Sequence, residues 1–187
     1  DQVCIGSCTN SSYDDMLLVS AMLKKHKIHP GVELTISPGS KQILSYLSRT
    51  GELEHLYKSG ARVLEPTCGP CIGMGQAPVS AAVSLRTFNR NFKGRSGTAD
   101  AEVYLCSTET AVVSAITGEI TDPRELIKKP GSKSFFIKDL PEPNFVYPAE
   151  SESVRKKVMV VRGPNIKPLP EFTPLPDTLK SKVIFGK

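Results

Sequence analysis

Five cysteines, at positions 4, 8, 68, 71 and 106, are the residues of this 187-residue chain best equipped for chemistry. An odd count with one tight C-x-x-C pair does not suit a secreted disulfide framework. It suits a reducing compartment, where thiols are buried, redox-active or metal-binding. The pair Cys68-Gly69-Pro70-Cys71 is compatible with zinc, thioredoxin-like or iron–sulfur chemistry. A thioredoxin-type pair opens a helix after a strand, and Gly69, Pro70 and Gly73 disfavour a regular helix start. A four-ligand zinc site needs two further ligands. His26, His29 and His55 fall on or beside expected surface helices and read as exposed or locally bonded. Cys4 reads as a strand core residue and Cys106 as a small buried hydrophobe at a strand end. Cys8 is then the best third partner for Cys68 and Cys71. A cubane cluster held by three thiolates leaves one iron open to water or substrate as a Lewis acid.

A second feature is Asn89-Arg90-Asn91-Phe92-Lys93-Gly94-Arg95. Arg90 and Arg95 flank a turn in which Gly94 lets the backbone bend close to a ligand. Guanidinium groups bind carboxylates through paired hydrogen bonds. Beside a Lewis-acid iron they point to a polycarboxylate; on composition alone a solvated basic surface loop is the favoured reading.

These residues must be positioned by the elements around them. Residues 2–6 read as a short buried strand. A helix follows from Tyr13 to about Lys25, with Ser12 and Asp15 spaced as a capping box and Met16, Val19, Ser20 and Leu23 as its inner stripe. Val32–Ile36 alternates as a strand. Ser40 can cap a helix carrying Ile43, Leu44 and Leu47, Gly51 ends it, and a short helix runs on to Lys58. Strands are expected at 61–64, 83–88 and 102–106, and Thr108 is expected to cap a helix that Gly118 terminates. Strands alternating with helices imply an α/β fold: a three-layer, mostly parallel sheet covered by helices. In such sheets ligands collect outside the carboxyl ends of the strands, where Cys8 and the Cys68–Cys71 pair would both emerge.

Composition bounds the rest. With 39% hydrophobic and 23% charged residues the chain can bury one core. No apolar run is long enough to span a membrane. The net charge of +5 is scattered, so it reads as a solvated surface with a field suited to small anions, and no nucleic-acid partner is expected. The organisation expected is a domain over 1–125 and an extended Pro-rich linker over 126–187, since nine prolines fall between 130 and 177. The linker carries one expected strand, Val158 to Val161, and becomes apolar again at Val183–Phe185. A chain that opens at Asp1 within a strand-like run reads as a segment of a longer protein.

The wording of the chemical segments resembles the aconitase family. Ile5-Gly6-Ser7-Cys8-Thr9-Asn10-Ser11-Ser12-Tyr13-Asp14-Asp15-Met16 is similar to its first cluster motif, and Cys68-Gly69-Pro70-Cys71-Ile72-Gly73 to its second. Asn89 to Arg95 is similar to its substrate-arginine loop, and the resemblance runs collinearly over residues 2–124. It implies that Cys8, Cys68 and Cys71 ligate a 4Fe–4S cluster, that Asn89 sits beside it, and that Arg90 and Arg95 bind substrate carboxylates. The implied reaction is reversible dehydration of a hydroxy-polycarboxylate, in aconitate hydratase of citrate and isocitrate through cis-aconitate in the tricarboxylic acid cycle. The family's acid–base groups lie in other domains of the parent chain. No catalytic residue is therefore expected here, and the segment alone should be inactive. Relatives acting on isopropylmalate or homoaconitate are the nearest alternative, and an RNA-binding iron-regulatory relative a further one. The continuation beyond Asp122-Pro123-Arg124, with Lys182–Lys187 resembling the entry to a swivelling domain, favours the single-chain aconitate hydratase. The compartment implied is bacterial or archaeal cytoplasm, or the mitochondrial matrix.

Overall fold

The protein is described by a computed structural model covering residues 1–126, 151–159, 161–164, 167, 170–174 and 176–178. The chain divides into two units, Asp1–Pro143 and Asn144–Lys187.

In the first unit five strands form one parallel sheet: β1 (Gln2–Gly6), β2 (Glu33–Ser37), β3 (Arg62–Val63), β4 (Val83–Arg86) and β5 (Glu102–Leu105). Their spatial order is β3-β2-β1-β4-β5, so β1 is central and all five of its residues are buried. The chain steps from β1 outward to β2 and β3, then crosses to the other side of β1 for β4 and β5. The carboxyl end of β1 is therefore the point where the strand order reverses, the place in such sheets where a crevice opens for a ligand. The expected α/β architecture is present, and every pairing is parallel.

Four helices pack around the sheet: α1 (Tyr13–Leu23), α2 (Lys41–Thr50), α3 (Glu52–Ser59) and α4 (Thr108–Thr117). The capping box read from Ser12 and Asp15 is present, with both reciprocal bonds made. Met16, Val19, Ser20 and Leu23 are all buried on the inner stripe of α1. Each of the three apolar side chains contributes about 1.5–3 kcal/mol relative to exposure. They join Val3, Ile5, Leu34, Ile36, Leu85 and Val112 in the main core. Alternate strand residues Gln2, Cys4, Ser84 and Arg86 are buried too, outside that cluster. Period-two alternation sends them to the opposite face of the sheet.

Several boundaries differ from expectation. α1 stops at Leu23, with Lys24 as its cap. β3 is two residues rather than four, because Ala61 N–H still closes the turn after α3 on Leu56 O. β4 ends at Arg86: Thr87 makes one last bond to Cys4 O, and its hydroxyl then turns to Gly6 N. The cap of α4 is Ser107, not Thr108, since the Ser107 hydroxyl accepts from Thr110 N and Thr108 is already helical.

In the second unit a single helical turn, α5 (Glu152–Arg155), is capped by Ser151. Val158, Met159 and Val161 are exposed and outside any strand, so the strand expected there is not formed among the described residues. The apolar run at 183–185 lies outside the described residues.

Candidate metal centre

The loop after β1 is shaped by backbone that avoids ordinary conformations. Gly6, Ser7 and Asn10 all have positive φ, at 100°, 79° and 52°. Gly6 is required: a Cβ there would sit 2.1 Å from Ser37 O. Ser7 is a non-glycine residue in the left-handed region, and such strain persists only where surrounding structure enforces it. Here Ser7 N donates to Ser37 O at 2.8 Å, and Ser11 Oγ donates back to Ser7 O. The loop presents Cys8 to solvent, and α1 begins five residues later.

The same loop is tied to the one after β4. Gly6 N donates to Thr87 Oγ1 at 2.9 Å, and Asn10 Nδ2 reaches both Thr87 O at 2.5 Å and Asn89 Oδ1 at 3.1 Å. Asn10 was not singled out by sequence reasoning; its place two residues after Cys8, in a motif otherwise built of small polar residues, was the available signal.

Cys68 and Cys71 follow β3 in a loop whose only regular piece is a 3-10 turn at Pro70–Ile72. Their sulfurs are 3.7 Å apart, with Cys68 exposed and Cys71 buried. Both thiols are free. Neighbouring Cys71 pushes the Cys68 thiol above its ordinary value, Cys8 adds to that push electrostatically, and Arg95 opposes it. Cys68 and Cys71 are thus in contact, while Cys8 and Arg95 act on Cys68 electrostatically. Gly73 ends the turn at φ 83°, and a Cβ there would lie 2.0 Å from Ser96 O, so this loop rests directly on the arginine loop.

In the arginine loop, Arg95 stacks on Phe92 at 5.7 Å. Asn89 and Arg90 are exposed. Arg90 makes no hydrogen bond or ion pair among the described residues, so its head is left to solvent. Cys4 is fully buried against Cys71 and Phe88 rather than in the main core. Burial pushes its thiol up, with Arg86 opposing. Cys106 packs half-buried on the main core, and burial pushes its thiol up to about 11. His55 bonds Glu52 at 3.1 Å and His29 accepts from Gly31 N at 3.1 Å, local partners as expected.

Among the described residues no three His, Cys, Asp or Glu side chains are gathered tightly enough for a single metal ion. A mononuclear zinc needs its sulfurs about 2.3 Å from one point. A cluster bridged by its own sulfides accepts thiolates set further apart. Four buried side-chain atoms lack a partner among the described residues: Ser7 Oγ, Gln76 Oε1, Arg95 Nε and Thr35 Oγ1. Three of these lie in the three loops just described, and two of the three are donors. Orphaned donors beside free thiols fit an anionic group bound by thiolates.

The chain is similar to known proteins. A family model described as "Aconitase family (aconitate hydratase)" matches residues 1–118. The chain is 46% identical over 127 residues to the 3-isopropylmalate dehydratase large subunit of Methanoregula boonei, covering 67% of this chain and 30% of that one. It is 45% identical over 127 residues to the homoaconitase large subunit of Thermus thermophilus, with the same shares covered. A 3-isopropylmalate dehydratase large subunit of Thermotoga maritima is 42% identical over 128 residues, 68% of this chain and 31% of that one. The chain thus spans about 30% of the length of the curated relatives it matches.

Proposed function

The chain belongs to the aconitase family, and from that premise we propose that it is the metal-centre domain of a hydro-lyase acting on a hydroxy-polycarboxylate. The observation that carries this is the free Cys68–Cys71 pair, its sulfurs 3.7 Å apart in the loop after β3. Residues 1–125 are the domain, and 126–187 a Pro-rich connection to further parts of the enzyme.

Cys8, Cys68 and Cys71 would hold a 4Fe–4S cluster. When bound, that group supplies an iron without a protein thiolate as Lewis acid to the substrate hydroxyl. The chain's own residues bind and orient. Arg95 is held by its stack on Phe92, with Nε still available, and Arg90 offers an unengaged guanidinium. Together they clamp two carboxylates. Asn89 is oriented by Asn10 and so keeps register with the Cys8 loop. Ser7 Oγ offers a donor to the anionic group beside Cys8. Proton transfer belongs to other parts of the enzyme, so this chain supplies orientation and charge rather than the acid and base.

The relatives turn the finer reading away from the aconitate hydratase favoured by sequence and toward the isopropylmalate or homoaconitate type, with a separate small subunit as partner. The aconitate hydratase reading keeps one support, the long Pro-rich segment after the family match. No helix of the described residues is long and apolar enough to cross a membrane.

The test is anaerobic reconstitution of the chain and of single Cys→Ser variants. About four irons and four sulfides per chain are expected, lost on changing Cys8, Cys68 or Cys71 and kept on changing Cys4 or Cys106. One zinc per chain without sulfide would sink the reading. Adding 3-isopropylmalate or citrate to the reduced, loaded chain should perturb its electron paramagnetic resonance spectrum, and the stronger perturbation names the substrate class.

A further inference from the structure

Arg86 is the largest of the fully buried side chains, with 1% of its surface exposed. It ends β4 on the face opposite the main core. Its Nε donates to Ser84 Oγ at 3.0 Å and its Nη1 to Pro70 O at 2.8 Å. Its Nη2 donates to Gln2 Oε1 at 2.8 Å and to Gln76 O at 2.5 Å. Two of these acceptors, Gln2 and Ser84, belong to the sheet. The other two are backbone carbonyls of the cysteine loop, one immediately before Cys71 and one five residues after it.

All four acceptors are uncharged. Among the described residues no carboxylate pairs with Arg86. A buried charge without a counter-ion is expensive, and neutral oxygens recover only part of its lost hydration. If the role were only to staple a loop, a neutral amide would serve without that cost. The side chain lies beside the cluster of Cys4, Cys71 and Phe88, 5.8 Å from the Phe88 ring centre. Its charge therefore faces the inner end of the cysteine loop, in a site little screened by water or salt.

We propose that Arg86 is the buried counter-cation of the metal centre: it pins the Cys68–Cys71 loop to the sheet and balances the negative charge of the group those thiolates bind. This rests on the cluster reading above. Arg86 touches neither substrate nor reacting atoms, so it is a positioning residue, and its charge should be legible in the reduction potential. Net charge near an iron–sulfur cluster is one of the terms that set that potential.

The experiment compares Gln2→Glu, Arg86→Gln and Arg86→Lys with the unaltered chain after anaerobic reconstitution. Iron content, midpoint potential and the melting temperature of the metal-free form are measured. Gln2→Glu is the decisive variant, because it keeps the acceptor at the same place but makes it a carboxylate. It should stabilise the metal-free chain and make the loaded cluster harder to reduce. The expected shift is at least tenfold in the reduced-to-oxidised ratio at fixed potential, about 59 mV for one electron. Arg86→Gln should shift the potential in the same direction, and Arg86→Lys should hold it near the original. Should Arg86→Gln fail to fold, Gln2→Glu decides alone. A loaded Gln2→Glu chain with unchanged potential overturns the proposal and leaves the cluster reading standing. An unaltered chain that takes up no iron and sulfide overturns both.

Discussion

The loop that carries Cys8 follows the central strand and runs into a capped helix of 11 residues. The loop that carries Cys68 and Cys71 follows a two-residue edge strand and contains a single 3-10 turn. The first is held by positive φ at Gly6 and Ser7, by the Ser12–Asp15 box, and by a spread of bonds to Ser37, Thr87 and Asn89. The second leans on a single buried side chain, Arg86 on Pro70 O and Gln76 O, and on the close approach of Gly73 to Ser96 O. Loops that follow strands of one sheet can thus be rigid for different reasons. The strength of each should respond to different substitutions.

The largest contrast is expected from two glycines. Gly6→Ala and Gly73→Ala each drive a Cβ to about the same distance from a carbonyl oxygen, 2.1 and 2.0 Å, at positive φ. Left-handed backbone alone costs an alanine about 1–2 kcal/mol. For Gly6 the clash is with β2 itself, so the whole sheet should weaken, lowering Tm by roughly 4–8 °C. For Gly73 the loss should appear as lower iron content with a smaller change in Tm. Calorimetry and iron analysis on the same samples separate the two; equal melting losses would erase the distinction.

A smaller effect sharpens the local side. Ser12→Ala removes the cap of α1 and should cost about 1 kcal/mol, a fall in Tm of about 2–4 °C. Iron content after reconstitution should stay at the original level, because α1 remains anchored by Met16, Val19 and Leu23. Loss of iron without loss of Tm would show that the helix start matters to the site directly.

The smallest effect marks the boundary of the site. Burial holds the Cys106 thiol up at about 11, so at pH 8 it is almost wholly protonated. In the metal-free chain, iodoacetamide should modify exposed Cys8 well before Cys106. The Cys106 rate should climb about tenfold per pH unit as pH rises toward 11, following the thiolate fraction. Equal rates at pH 8 would place Cys106 in the open crevice with the other loops.

What the sequence revealed divides by distance along the chain. Ser12, Asp15, Gly51 and Gly118 act on neighbours within a few residues, and their helices were legible. Cys8, Cys68 and Cys71 stood out because thiols are rare, and the structure brings Cys68 and Cys71 together at 3.7 Å. Arg86 was not: within an expected strand it looked like any edge residue, and its meaning depends on Gln2, 84 residues away. Asn10 was hidden likewise, since its partner Asn89 is 79 residues distant. The shortening of β3 and the shift of the α4 cap to Ser107 turn on single hydrogen bonds that composition does not rank.

The central place of β1 also sets an order of assembly. Its pairing with β2 closes a short stretch of chain, about 31 residues from Gln2 to Glu33, whereas its pairing with β4 joins Gln2 to Ser84. Closing the longer loop costs more chain entropy, so β1, α1 and β2 can consolidate while the later strands are still searching. Arg86 arrives with β4, and until it docks nothing clamps Pro70 and Gln76 to the sheet. A nascent or refolding chain therefore holds its cysteine pair loosely until β4 is in place, which under the proposed function makes metal loading a late event that reports completion of the fold.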